Sequence, residues 1–344
     1  MRRALVTGGS GYLGSVLVEA LRERGYDVAV LDLVDAPGRS PSVRFIAGDV
    51  RDAAAAERAC EGIDVVHHAV AQVPLVRDRG LFESVNVVGT ETLLGAARRA
   101  GVGKVVHVSS SAVLGAPTHN PVAEDAVARP AEPYGRAKLA GEHAVARAQS
   151  AGLDVTVIRP RTILGPGRLG IFQLLFEWVR LGRRVFVLDG GANRYQFVHA
   201  SDLADACIRA SEQAGPDLFH VGATRFGTMA EAIGALVAHA GTGSRIRSLP
   251  RAIAAPTMRA AGALGLAPLA PYHALMYGRE LWFDVRHAQT VLGWQPRFGN
   301  DEMLCEAYDW YLAHRTEVLA RSGQSPHRSA VRPGLMRLLE RFPW

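Results

Sequence analysis

Over the first 160 residues, short apolar runs alternate with longer stretches in which apolar residues recur every three or four positions. The runs Ala4–Thr7, Val28–Asp32, Val43–Ala47, Val65–His68, Val105–Ser109 and Val155–Arg159 are largely apolar and too short for helices, so they predict buried strands. Between them, Leu81–Ala100 and Tyr134–Ala151 carry the helical period. This alternation predicts an α/β fold with a parallel sheet covered on both faces, and right-handed crossovers make the sheet doubly wound. After Pro160 the rhythm changes. Gly165-Pro166-Gly167 interrupts the chain, and Ile171–Val179, Ser201–Glu212 and Thr228–Ala240 read as further helices. Pro250–Tyr277 is rich in Ala, Leu, Pro and Met, with few charges. The expected organisation is a first domain over residues 1–160, to which later segments return, a smaller substrate-binding part over 161–320, and a basic tail over 321–344.

Composition changes this picture mainly by exclusion. The chain has 344 residues, 48% hydrophobic and 21% charged, and no apolar run approaches the ~20 residues of a membrane span. Cys60, Cys207 and Cys305 are widely spaced, which argues against a zinc site or a disulfide framework and suits a reducing, cytoplasmic compartment. The strand pattern begins at once, leaving no room for a secretory leader. The net charge of +6 comes from scattered basic residues, mostly Arg, so no nucleic-acid stripe is expected. The basic segment Pro333–Phe342 is expected to pack on this chain or on a second copy.

The first candidate chemistry follows the first strand. Thr7-Gly8-Gly9-Ser10-Gly11-Tyr12-Leu13-Gly14 sits at a strand–turn–helix junction, with glycines at 8, 11 and 14. Glycines let the backbone approach a pyrophosphate, and the helix start aims N–H groups and positive dipole at it. Asp32 closes the second strand, 18 residues past Gly14, where a carboxylate accepts bonds from an adenosine ribose and repels a 2′-phosphate. That favours NAD over NADP. Asp49, in Gly48-Asp49-Val50, follows the third strand within reach of an adenine.

The second candidate chemistry lies further along. Tyr134 and Lys138 are one helical turn apart on one face. A phenol with an ordinary pKa of about 10 is a poor base at neutral pH. A nearby ammonium, with a cationic nicotinamide, is expected to acidify it and fit it for alcohol–ketone interconversion. Ser109-Ser110-Ser111 ends the fifth strand, at the carboxyl edge where open α/β sheets bind ligands. Taken alone, a Tyr-x-x-x-Lys pair or a serine run carries little; together, behind a dinucleotide turn, they point to one site.

With these residues the chain resembles the extended short-chain dehydrogenase/reductase superfamily, in its NAD-dependent epimerase/dehydratase branch. The resemblance runs from about residue 3 to 315. It rests on the Thr7–Gly14 turn, Gly48-Asp49-Val50, His68-Ala69-Val70-Ala71, Asn86-Val87-Val88-Gly89-Thr90, Ser109–Gly115, Tyr134–Lys138, Arg159-Pro160 with Gly165-Pro166-Gly167, Phe197-Val198-His199 with Asp202, and Leu292-Gly293-Trp294-Gln295-Pro296. It implies a Rossmann-type sheet, NAD as cofactor, a small-molecule substrate and a homodimer. It implies a catalytic triad of Ser110, Tyr134 and Lys138, with Ser110 selected because it precedes Gly115 by five residues. Tyr134 exchanges the substrate proton, and Lys138 binds the nicotinamide ribose and tunes Tyr134. The cofactor-binding set it implies is Gly8, Gly11, Tyr12, Leu13, Gly14, Asp32, Asp49, Val50, Ala69, Tyr134 and Lys138. Asn86 is expected to be structural, and no catalysis is assigned to His67, His68 or His199.

The chain departs from the family pattern at informative places. Ser110-Ser111-Ala112 lacks the carboxylates of the 4,6-dehydratases. Thr162 stands where many nucleotide-sugar enzymes carry a diphosphate-binding Asn, and Arg194 is shifted one position from a second expected anion contact. Arg161, Arg168 and Arg194 are candidate replacements. Ile171–Val179 and Ala252–Met276 are candidate apolar lining, as in the 3β-hydroxysteroid dehydrogenase-like branch. The expected function is an NAD-dependent oxidoreductase acting on a secondary alcohol or ketone, largely apolar; the alternative is a nucleotide-sugar 4-epimerase using the same triad.

Overall fold

The computed structural model describes residues 1–72, 79–254, 256 and 278–320. In chain order its strands are β1 Arg3–Thr7, β2 Asp27–Asp32, β3 Arg44–Ala47, β4 Val65–His68, β5 Lys104–Val108, β6 Val155–Pro160, β7 Thr162–Leu164, β8 Arg184–Leu188, β9 Phe197–His199, β10 Asp217–Val221 and β11 Arg245–Leu249. The helices are α1 Tyr12–Glu23, α2 Ala53–Cys60, α3 Arg79–Glu83, α4 Gly89–Arg99, α5 Pro133–Ser150, α6 Ile171–Arg180, α7 Ala200–Glu212, α8 Met229–Ala240, α9 Arg286–Leu292 and α10 Asn300–Ala320. The sequence period over Leu81–Ala100 becomes two helices, because the wider turn Ser84–Val88 interrupts it.

Seven strands form one sheet in the order β10-β6-β5-β4-β1-β2-β3, and every pair in it is parallel. This is the doubly wound Rossmann order, with one further strand on the β6 edge. The central strands are valine-rich because both faces are covered. On one face, α1 and α7 bury Leu13, Leu17, Leu203 and Ile208 with Val6, Val30 and Val106. On the other, α2, α4 and α5 bury Ala55, Leu93 and Val145 with Leu5, Val66 and Val105. The seventh strand comes from beyond residue 160: β10 pairs with β6 from Asp217↔Thr156 to Val221↔Pro160.

A third core gathers Phe176, Val179, Val185, Ile233, Leu236, Tyr308 and Tyr311 from α6, β8, α8 and α10. Two short parallel pairs, β7–β9 and β8–β11, belong to this side of the molecule. Among the described residues no helix is long and apolar enough to cross a membrane. The tail expected over 321–344 and most of Pro250–Tyr277 lie outside the described residues.

Candidate active site

The strand order reverses between β1 and β4, and the glycine turn leaves the carboxyl end of β1 beside that reversal. Gly8 takes a positive φ of 73°, which a glycine adopts without strain, and its N–H donates to Leu31 O at 2.9 Å. A Cβ at Gly14 would stand 2.0 Å from Gly8 O, and one at Gly8 would stand 2.9 Å from the Val70 backbone N, next to Ala69. Gly11 caps α1 without any side-chain acceptor, so the helix start keeps N–H groups to offer an anion. The cradle therefore fits a pyrophosphate. Tyr12 and Leu13 begin α1 and are buried.

Asp32 accepts from Ser10 N at 3.0 Å and from Leu33 N at 2.7 Å, which fixes the carboxylate against the glycine turn. Asp49 is engaged differently. Arg51 donates to it through Nε and Nη2, at 2.9 and 2.5 Å, and holds its carboxyl below the usual range. Val50 is buried, and Ala69 N donates to Thr7 O at 3.2 Å. Asn86 is buried and clamps Gln72, accepting from its N–H at 2.8 Å and donating to its carbonyl at 3.1 Å. It thereby ties the helical layer to the loop after β4, the structural part expected of it. His67 and His68 are buried in β4, and desolvation lowers each to about 3, so both rings are uncharged at neutral pH.

Ser110 follows β5, and its Oγ accepts from Ala112 N at 3.1 Å, shaping the turn Ser111–Leu114. Its side chain also lies close enough to the Tyr134 hydroxyl to favour the phenolate. Tyr134 and Lys138 lie in the first two turns of α5, whose start is fixed by Glu132. That carboxylate accepts from Tyr134 N at 2.8 Å and Gly135 N at 2.6 Å, completing a helix cap. Lys138 is 1% exposed and donates to Val108 O at 2.6 Å, across to β5. The structure thus brings Ser110, Tyr134 and Lys138 together where β5 ends.

Among the chain's own groups, burial outweighs the cations around Tyr134. Lys138 does not acidify Tyr134 in this structure. Desolvation pushes the phenol up to about 12, opposed by the Ser110 side chain and by the charge of Arg168. Lys138 itself is lowered to about 8 by burial, with Glu142 holding it up. The physical reason is that both side chains leave water, and each then disfavours its charged form. The cation that acts on the phenol is Arg168, from the glycine-rich turn after β7. Its guanidinium also lies 5.9 Å from the Tyr12 ring, so one arginine faces both the head of α1 and the head of α5.

Glu142 and Glu132 were not singled out in the sequence, and two candidates that were are engaged elsewhere. Glu142 on α5 accepts from Arg159 Nε at 2.9 Å, Arg159 Nη2 at 2.7 Å and Ser109 Oγ at 2.5 Å, binding α5 to β5 and β6. Glu132, the helix cap, is buried. The apolar stripe of α6 goes largely into the third core, where Phe172, Phe176 and Val179 pack, so those members of the candidate lining are core residues. Arg194, a candidate anion contact, stacks on Phe226 and Trp282 at 5.1 and 4.6 Å. Among the described residues no group of His, Cys, Asp and Glu could hold a metal ion.

Comparison with known proteins places this arrangement in a family. Residues 4–222 match the NAD dependent epimerase/dehydratase family. An uncharacterized protein, y4nG of Sinorhizobium fredii, is 49% identical over 98% of this chain and 86% of its own length. UDP-glucose 4-epimerase of Mycolicibacterium smegmatis is 32% identical over 90% of this chain and 98% of its own. Human sterol-4-alpha-carboxylate 3-dehydrogenase, decarboxylating, is 33% identical over 63% of this chain and 59% of its own. Among solved structures, MoeE5 in complex with UDP-glucose and NAD superposes with a TM-score of 0.73 at 27% identity, covering 92% of this chain and 99% of the other. The chain is an enzyme of the NAD-dependent epimerase/dehydratase family, of the extended short-chain dehydrogenase/reductase type, and its cofactor is NAD.

Proposed function

We propose that this enzyme interconverts a secondary alcohol and a ketone with net hydride transfer, on a largely apolar substrate. The observation that carries the reading is the Ser110 side chain beside the Tyr134 hydroxyl at the carboxyl end of β5, with Lys138 buried one turn further along α5. NAD supplies the hydride acceptor, held by Gly8, Gly11, Tyr12, Leu13 and Gly14, with Asp32 toward the adenosine ribose and Val50 and Ala69 alongside. Ser110 positions the substrate oxygen. Tyr134 takes the hydroxyl proton as the carbonyl forms and returns it in the reverse direction. Lys138 spends one N–H on Val108 O and has two left for ribose hydroxyls. Arg168 stabilises the phenolate that this proton transfer needs.

Two features support an apolar substrate over a nucleotide sugar. Thr162, at the diphosphate-contact position, ties its hydroxyl to the Tyr195 hydroxyl at 2.8 Å, and the guanidinium of Arg194 lies on aromatic faces. The relative named for a sterol carboxylate fits this reading. The second reading, a 4-epimerase regenerating its own NAD, is favoured by the near full-length matches to UDP-glucose 4-epimerase and to the UDP-glucose complex.

The deciding experiment incubates the enzyme with NAD and a panel of secondary alcohols, sterols included, and follows NADH absorbance. In parallel, UDP-glucose is supplied without added cofactor and its conversion to UDP-galactose is followed by NMR. NADH formation that disappears in Tyr134→Phe supports the oxidoreductase. Inversion of the sugar without NADH would replace it with the epimerase, and full activity of Tyr134→Phe would end both.

A further inference from the structure

Arg161 begins the segment after β6, next to the catalytic turn. Its Nη1 donates to Ser111 Oγ at 2.8 Å, one residue beyond Ser110. It is 1% exposed, and Nε and Nη2 are buried without a hydrogen-bond partner among the described residues. No carboxylate of the described residues pairs with it. The guanidinium lies over the rings of Tyr195 and Phe283, 4.8 and 5.4 Å from their centroids. Cation–π contact offsets part of the cost of burying the charge, but it satisfies no N–H. Burying a charge without an acceptor is costly, and native interiors leave few such groups unpaired.

The two empty donors are not arbitrary. Nε–H and the adjacent Nη2–H form the side-on edge of the guanidinium, whose parallel bonds match the two oxygens of a carboxylate. The neighbouring buried arginine shows that use: Arg159 gives Nε and Nη2 to the two oxygens of Glu142. Arg161 presents the same edge without a partner among the described residues. A single edge walled by Tyr195 and Phe283 suits one planar monoanion. A diphosphate carries more charge and needs several donors. The nearby ring of His220, stacked on Phe283 at 3.9 Å, adds no positive charge, because burial and the two arginines lower it to about 3.

We propose that Arg161 receives a carboxylate of the substrate, making the substrate a hydroxy or keto acid whose reacting carbon lies at Ser110 and Tyr134. This rests on the oxidoreductase reading and names its substrate class.

The test uses 3-hydroxy acids of six to sixteen carbons and their methyl esters. Each is titrated calorimetrically into the enzyme saturated with NADH, where an alcohol cannot be oxidised. For the best-binding chain length, the wild-type enzyme is expected to hold the acid about thirtyfold more tightly than the ester, the size of a charge-assisted bidentate contact. Arg161→Met is expected to bring acid and ester within threefold of each other, with NADH affinity unchanged. Arg161→Lys keeps the charge without the fork and is expected to recover only part of the preference. Equal binding of acid and ester by wild type, or no binding of any acid, overturns the proposal. So does an intact preference in Arg161→Met or, should that variant not fold, in Arg161→Lys. Acetate that binds at Arg161 without displacing the hydroxy acid assigns the edge to a free anion and also overturns it. UDP-glucose binding that Arg161→Met abolishes does the same in favour of a diphosphate. Turnover with NAD is read separately. An acid that binds through Arg161 but yields no NADH removes the oxidoreductase reading alone, whereas equal oxidation of acid and ester removes this proposal alone.

Discussion

Replacing Glu142 by Gln tests what fixes helix α5. Glu142 and Arg159 have side chains only 8% and 7% exposed, and the carboxylate takes three hydrogen bonds at 2.5 to 2.9 Å. Gln is the same size but neutral, and its amide nitrogen faces an N–H of Arg159 in either orientation. Breaking a buried pair from one side costs about 3–5 kcal/mol, because the other charge stays buried. We expect about 3 kcal/mol, since one acceptor oxygen remains. With a total stability of about 5–15 kcal/mol the variant stays folded. Urea midpoints at a common slope measure the loss. The double variant Glu142→Leu with Arg159→Met removes both charges and is expected to cost well under the sum of the single changes. The second readout is the pH profile. The Glu142 carboxylate holds Lys138 up against burial, so its loss shifts the deprotonation of Lys138 to lower pH. A cost below about 1 kcal/mol in Glu142→Gln, or strict additivity in the double variant, would refute the buried-pair reasoning.

The other expectations are more direct. Lys138 is lowered from 10.5 to about 8 in the fold, so between those values the unfolded chain binds a proton that the folded chain has released, and stability rises with pH across that window. At neutral pH the buried charge costs about 3 kcal/mol. Lys138→Met should therefore be the more stable protein at neutral pH and lose that advantage above pH 10.5, which denaturation at a series of pH values checks. Gly14→Ala sets a Cβ 2.0 Å from Gly8 O; it should cost about 1–3 kcal/mol and weaken NADH binding by fluorescence titration at least tenfold. Gly103→Ala, whose nearest contact is an ordinary 3.5 Å, should change neither. Glu132→Ala removes the cap of α5 and should lower stability by about 1 kcal/mol while cutting kcat more than it raises KM, because Tyr134 sits in the freed turn.

The strands of the sheet were legible because a parallel sheet covered on both faces needs continuous apolar runs, and Val28–Asp32 and Val65–His68 are such runs. The glycine turn and the Tyr-x-x-x-Lys pair were legible because short spacings carry their geometry with them. β10 was not: Asp217-Leu218-Phe219-His220-Val221 mixes polar and apolar residues and takes its place from pairing with β6. Glu142, Arg159 and Ser109 were invisible as a unit, since 17 and 33 residues separate the partners. Tyr134 lies beside Ser110, yet within the chain burial raises its phenol: spacing reveals a nearby ammonium and says nothing about lost water. The stripe of α6 looked like substrate lining because an apolar face reads the same whether a ligand or a neighbouring helix covers it.

Because the seventh strand is contributed so late, the sheet cannot close while the chain is being made until residue 221 has left the ribosome. Until then the backbone of β6 has one side without its ladder, in a strand whose side chains are all buried in the finished enzyme. A stalled or clipped nascent chain would present a sticky border to its neighbours. Cutting at the apparent boundary near 160 is thus a recipe for precipitate rather than for a small soluble dinucleotide-binding module.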